Sequence, residues 1–142
     1  MPILNKAYES LDSRFKPYVL EILTKLEKLG YKPIVAEGRR TVEQQKEKVK
    51  LGYSQTMKSY HLTGLAVDIV DSRYNWDIPL HHKFWYDYGH IVKDMKPKEG
   101  YLRWGGVWSV PERWAIIEQA QKNQSDKGLN WFMDVAHVEM RI

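Results

Sequence analysis

There is no cysteine anywhere in the chain. That removes disulfides, thiolate nucleophiles and thiolate zinc sites together, and leaves His, Asp and Glu as the candidate metal ligands. No run approaches the roughly 18 apolar residues of a membrane span, so membrane insertion is not expected. The opening Met1-Pro2-Ile3-Leu4-Asn5-Lys6 lacks the apolar centre of a signal peptide. Repeats, low-complexity tracts and interdomain linkers are also missing. The 142 residues therefore read as one domain, 1–142, long enough to bury a single core.

What is present is the make-up of an ordinary globular protein: 43% hydrophobic and 28% charged residues, which argues against disorder. Phe is scarce at three, but there are six Trp and nine Tyr. Large rings mostly fill cores, and some can line a groove that takes flat sugars or peptides. A net charge of +4 and a pI of about 9.2 favour a polyanionic partner: nucleic acid, anionic lipid or bacterial wall polymer. Charge alone does not choose among them.

The most informative stretch is Ser59-Tyr60-His61-Leu62-Thr63-Gly64-Leu65-Ala66-Val67-Asp68. Thr63-Gly64 punctuates the backbone, and Leu65 to Val70 is a β-branched run of strand length, so the spacing predicts loop, turn, strand. In such a strand Leu65, Val67 and Ile69 face one side, and Ala66, Asp68 and Val70 face the other. The stretch then offers an imidazole and a carboxylate on either side of a forced turn. A lone His near an Asp is more often a satisfied structural pair, and two ligands do not hold zinc tightly; a third is needed.

Elsewhere, Phe15 to Leu29 carries apolar residues at helical spacing, with Asp12 or Ser13 as cap and Gly30 at its end. Lys32 to Glu37 reads as a strand closing at Gly38. Arg39 and Arg40 follow at a corner, where a guanidinium can clamp a carboxylate or pair with surface acids. Thr41 and Gln44 form a capping-box pattern for a polar helix from about Val42 to Leu51. A second helix is expected from Pro79 through Met95. His81, His82 and His90 fall on it without the i, i+4 spacing of a helical zinc site and are set aside. Tyr101 to Trp108 reads as a strand that ends in the two glycines Gly105-Gly106, where backbone can approach a ligand closely, and Pro111 to about Lys122 as a third helix before a polar loop at 123–128. The chain ends on an alternating strand with His137, Glu139 and Arg141 on one face and Val138, Met140 and Ile142 on the other. Asp134 stands at its entry, and His137 can be an ion-pair residue or the missing third ligand.

Ser59-x-His61-x-x-Gly64-x-Ala66-x-Asp68, followed far downstream by Asp134-x-x-His137, resembles the two-part zinc signature of the M15 peptidases. These comprise D-alanyl-D-alanine carboxypeptidases and dipeptidases together with phage L-alanyl-D-glutamate endopeptidases. Arg40-Thr41-Val42-x-Gln44 and Leu102-Arg103-Trp104-Gly105-Gly106-x-Trp108 resemble family segments in the same order, and the short single-domain build is most similar to the phage endolysins. The resemblance implies an α+β fold, a small antiparallel sheet with helices packed on it and zinc on the sheet. It implies His61, Asp68 and His137 as zinc ligands, Asp134 as general base, Arg40 as a residue steadying the substrate carbonyl or carboxylate, and Ser59 as a hydrogen-bonding support. Glu139 is the rival base, or an orienting partner of a ligand. Val107 stands where many relatives have Asp.

The implied activity is zinc-dependent hydrolysis of the L-Ala–D-Glu bond in bacterial peptidoglycan, by a phage lysin. A carboxypeptidase of the same fold and a wall-binding domain without turnover are the alternatives. The same resemblance implies a monomer without nucleic-acid partners, held in the host cytoplasm until release toward the periplasm and wall through a holin-type pore.

Overall fold

The computed structural model describes residues 2–52, 54, 57–78, 82–107 and 134–142. The expected third helix, the 123–128 loop, Pro79, His81 and Trp108 lie outside those residues. The described elements, in order, are α1 (Lys6–Glu9), α2 (Lys16–Lys28), β1 (Pro33–Glu37), α3 (Val42–Lys50), a 3-10 turn (Tyr60–Thr63), β2 (Ala66–Asp71), α4 (Lys83–Asp94), β3 (Tyr101–Trp104), a second 3-10 turn (Gly105–Val107) and β4 (His137–Arg141). The strands form one sheet in the order β1-β2-β4-β3, and every neighbouring pair is antiparallel. This is the expected α+β arrangement.

One face of the sheet makes the core. Val35, Val67, Ile69, Val138, Met140, Leu102 and Trp104 are all buried, and alternation puts them on the same side. α2 packs on β1 and α4, and α4 packs on β3. α2 supplies Val19, Ile22, Leu23 and Leu26, each without exposed surface. Burial of such side chains stabilises by about 1.5–3 kcal/mol each. α2 ends in a Schellman motif, with Gly30 at φ +96°, the Tyr31 amide donating to Leu26 O at 3.2 Å and the Gly30 amide to Glu27 O at 3.0 Å.

Two boundaries differ from the sequence expectation. Neither the Asp12 nor the Ser13 side chain caps α2; its N-cap is Phe15 and lacks a side-chain bond. Asp12 instead accepts from the Arg14 amide at 2.8 Å, because a short carboxylate closes the turn two residues on at no backbone cost. α4 begins at Lys83 with His82 as its cap, Nδ1 accepting from the Phe84 amide. β3 ends at the paired glycines as expected, its last residue Trp104 and a 3-10 turn following. The capping box of α3 is present as expected, Thr41 and Gln44 satisfying each other's amides.

Candidate metal centre and active site

The face of the sheet turned away from α2 and α4 carries the polar cluster. Asp68 on β2 lies directly across from His137 on β4 and from Glu37 on β1. Glu37 reaches that face through a register shift between Val35 and Glu37. Val35 pairs with Ile69 on the core side, and the extra residue, Ala36, turns the next acid to the other side, which is what a β-bulge does. Simple alternation from Val35 places Glu37 inward, so its membership in this site was hidden from the sequence.

His61 arrives from the 3-10 turn. Ser59 caps that turn, its Oγ accepting from the His61 amide at 3.1 Å. Gly64 closes it at φ +74°, where any Cβ would sit 2.7 Å from the Arg39 guanidinium and 2.9 Å from the Asp12 amide nitrogen. The turn, strand and intervening glycine therefore have the arrangement predicted from the sequence.

His61, Asp68 and His137 come together with their ligand atoms within 4.8 Å of one another, all three residues buried. His61 Nε2 is 3.6 Å from Asp68 Oδ2, and His137 Nδ1 is 3.5 Å from Asp68 Oδ1. Whether these residues suit a metal is answered by their hydrogen bonding. His61 Nδ1 is 2.7 Å from the Gly38 carbonyl. A carbonyl only accepts, so Nδ1 carries the hydrogen and Nε2 of the neutral ring is a bare lone pair. Both His61 Nε2 and Asp68 Oδ1 are buried without a hydrogen-bond partner. Orphaned buried acceptors converging on one point, with nitrogen and oxygen donors, fit zinc. His82 caps α4 and His90 lies tilted against Tyr86, ring centroids 4.4 Å apart, so neither joins the cluster.

Without metal, charge organises the cluster. Burial works to raise the Asp68 carboxyl, but the His61 and His137 imidazoles outweigh it and hold the group well below the ordinary carboxylate range. Burial opposes the charge of His137, yet Asp68 and Glu139 raise its pKa to about 9. Asp134 is pushed up to about 6 by burial and by the Asp68 charge, with His137, His61 and Arg40 opposing.

Asp134 Oδ2 lies 4.0 Å from His137 Nδ1, and its side chain is 33% exposed. The turn that carries it is held from several sides. The Asp134 amide donates to Gly105 O at 3.2 Å, and the His137 amide closes the turn on Asp134 O at 3.2 Å. Trp104 Nε1 donates to Val135 O at 2.6 Å. Tyr88 Oη donates to Ala136 O at 2.8 Å, which also accepts the Ile69 amide at 2.9 Å. A Cβ on Gly105 would meet Asp134 O at 2.2 Å, and one on Gly106 would meet the Trp104 ring at 2.1 Å. Trp104-Gly105-Gly106 is thus a cradle for the segment entering β4.

Arg40 points at protein groups. Nε and Nη2 fork onto Glu37 at 2.9 and 3.1 Å, Nη1 donates to Gln45 Oε1 at 3.0 Å, and Nη2 reaches Asp68 Oδ2 at 3.5 Å. Gln45 is fully buried and passes a bond to Ser54 Oγ at 2.9 Å. Gln45 read only as part of a polar helix; a lone amide among Lys and Glu carries no signal of burial. Glu139 is 2.8 Å from His137 Nε2, on the ring edge away from Asp68.

The family model described as phage L-alanyl-D-glutamate peptidase matches residues 6–140. A protein of Listeria phage A118 named L-alanyl-D-glutamate peptidase is 36% identical over 86 residues, 56% of this chain and 27% of that protein. The chain thus spans about a quarter of the length of this curated relative. Among solved structures, the L-Ala D-Glu endopeptidase ChiX of Serratia marcescens superposes with a TM-score of 0.58 at 18% identity, covering 99% of this chain and 90% of that one. The LD-carboxypeptidase LdcB does so with a TM-score of 0.50 at 21% identity, covering 92% of this chain and 58% of that one. These two likenesses establish the fold.

Proposed function

The chain belongs to the phage L-alanyl-D-glutamate peptidase family, and from that premise we propose that it is a zinc-dependent endopeptidase cutting the L-Ala–D-Glu bond of peptidoglycan stem peptides, as a phage lysin. The observation that carries the proposal is the buried His61, Asp68 and His137 cluster, with two orphaned acceptors and the Asp134 carboxylate 4.0 Å from His137.

His61 through Nε2, Asp68 through its carboxylate and His137 through Nδ1 are the groups that would hold zinc. When bound, zinc supplies Lewis acidity and brings a water's pKa toward neutrality. Asp134 accepts the proton of the attacking water and returns it to the leaving amine. Its partial exposure and position beside the cluster favour it over Glu139, whose oxygens are committed to His137 and Arg141. Arg40 Nη2, bonded to Glu37 at 3.1 Å and 3.5 Å from Asp68, is assigned to the carbonyl oxygen as negative charge develops on it.

Peptidoglycan is the partner. Among the described residues no helix is long and apolar enough to cross a membrane. The test is digestion of purified peptidoglycan with and without chelator, followed by product masses. The expected products carry a new amino terminus on D-Glu and vanish with chelator. Release of terminal D-Ala instead would make the chain a carboxypeptidase, and binding without release would make it a wall-recognition domain.

A further inference from the structure

His137 presents one ring nitrogen to the cluster and the other to Glu139, and the second contact decides what the first can do. Nδ1 faces Asp68 at 3.5 Å, while Nε2 is 2.8 Å from Glu139 Oε1. Glu139 is only 3% exposed, and its other oxygen, Oε2, accepts from Arg141 Nε. The Arg141 guanidinium lies over the Tyr60 ring at 5.4 Å, and Tyr60 immediately precedes His61 in the same 3-10 turn. The line from Arg141 through Glu139 to His137 thus starts and ends on segments that carry metal-cluster residues.

Building on the zinc reading above, we propose that Glu139 is a positioning residue that fixes the His137 tautomer for metal binding. A carboxylate has no hydrogen to give, so it obliges Nε2 to carry one and leaves Nδ1 as the bare lone pair directed at the cluster. Arg141 takes the second oxygen, so the buried carboxylate has a donor on each side, the guanidinium among them charged, and stays an acceptor toward His137. Glu139 is therefore assigned to ligand orientation and not to proton transfer from water.

The chemistry of an amide sharpens this. In Glu139→Gln one oxygen must serve two donors, Arg141 Nε–H and His137 Nε2–H. If the oxygen turns to the cationic Arg141, the NH2 group faces His137 and demands a bare Nε2, which moves the ring hydrogen to Nδ1 and blocks ligation. If it turns to His137, the NH2 group abuts the guanidinium, donor against donor. The charged donor wins the oxygen, so Glu139→Gln stabilises the wrong tautomer. Removing Arg141 frees the amide to turn its oxygen toward His137 and restores the right one.

The experiment is competitive zinc titration of the full chain with a chromophoric chelator, using the parent, Glu139→Gln, Arg141→Met and the double variant. Glu139→Gln is expected to bind zinc 10- to 100-fold more weakly, a loss characteristic of the partners behind metal-binding histidines. Arg141→Met is expected near the parent, and the double variant to recover most of the loss, a rescue that a merely structural role for Glu139 does not give. Parental affinity in Glu139→Gln, or a double variant no better than Glu139→Gln alone, overturns the inference while leaving the zinc reading intact. A parent that binds no zinc overturns both. Long-range proton–nitrogen NMR of the zinc-loaded parent gives a check independent of any variant's folding: the His137 hydrogen is expected on Nε2, and its presence on Nδ1 overturns the proposal.

Discussion

The turn from Asp134 to His137 carries both the proposed base and a ligand, and its two side-chain clamps are not equivalent. Tyr88 and Trp104 are each buried and each donates one hydrogen bond to this turn. In Tyr88→Phe the Ala136 carbonyl keeps the Ile69 amide, so no acceptor is orphaned and the cost is the net value of one hydrogen bond, about 0.5–1.5 kcal/mol. In Trp104→Phe the Val135 carbonyl loses its indole donor at 2.6 Å. Val135 is 8% exposed, so the penalty for a buried unsatisfied group applies, about 1–3 kcal/mol. The smaller ring adds on the order of 1 kcal/mol of lost packing. At roughly 3–4 °C per kcal/mol for a domain of this size, Tyr88→Phe should lower Tm by about 2–6 °C and Trp104→Phe by about 6–16 °C. Calorimetric melts, with zinc affinity and turnover on the same preparations, provide the assay. Because a displacement of about 1 Å at a catalytic group can cost a hundredfold in rate, Trp104→Phe should lose more turnover than zinc affinity. A Tyr88→Phe variant at least as destabilised as Trp104→Phe refutes the reasoning, as does a Trp104→Phe variant with parental stability.

Three further outcomes are expected. Asp134→Ala should retain zinc and lose most hydrolysis of peptidoglycan, whereas parental turnover contradicts its assignment as base. His61→Ala, Asp68→Ala and His137→Ala should each lower zinc content by atomic emission, since each removes a direct ligand; full stoichiometry in all three contradicts the site. Asp71 gives a pH test away from the cluster: burial acts to raise its carboxyl, but hydrogen bonds from Arg73 outweigh that and hold it below the usual 3.8. A depressed folded pKa contributes stability above the unfolded value, and that contribution is lost as pH falls through the folded one. Asp71→Asn should therefore be less stable than the parent at pH 7 in urea unfolding, with the gap closing below about pH 4; a gap independent of pH contradicts the assignment.

Local pattern carried a large part of this protein. With cysteine absent, a zinc site had to use nitrogen and oxygen ligands. Gly64 between His61 and the β-branched run could be read as turn then strand, because only glycine sits easily at a positive φ against its neighbours. The alternation at the carboxyl end put His137, Glu139 and Arg141 on one face, and the Thr41 and Gln44 box marked the start of α3. Each of these is decided within a few residues by sterics, side-chain period or a short hydrogen bond. Spacing alone left His61 and Asp68 as two ligands at most; the third came from resemblance to a family, and the fold then set His137 across from Asp68.

Tertiary structure decided what local pattern cannot encode. Pairing of β2 with β4, 69 positions apart at the Asp68 and His137 pair, follows from which apolar faces share the core under α2 and α4. The bulge at Ala36 turns Glu37 to the site because β1 must keep Val35 in the core and still follow β2. The Gly38 carbonyl selects the His61 tautomer, and Trp104-Gly105-Gly106 becomes a cradle only once the Asp134 turn lies against it. Those contacts join residues far apart in the chain, and their partners become neighbours only when the sheet closes around its core.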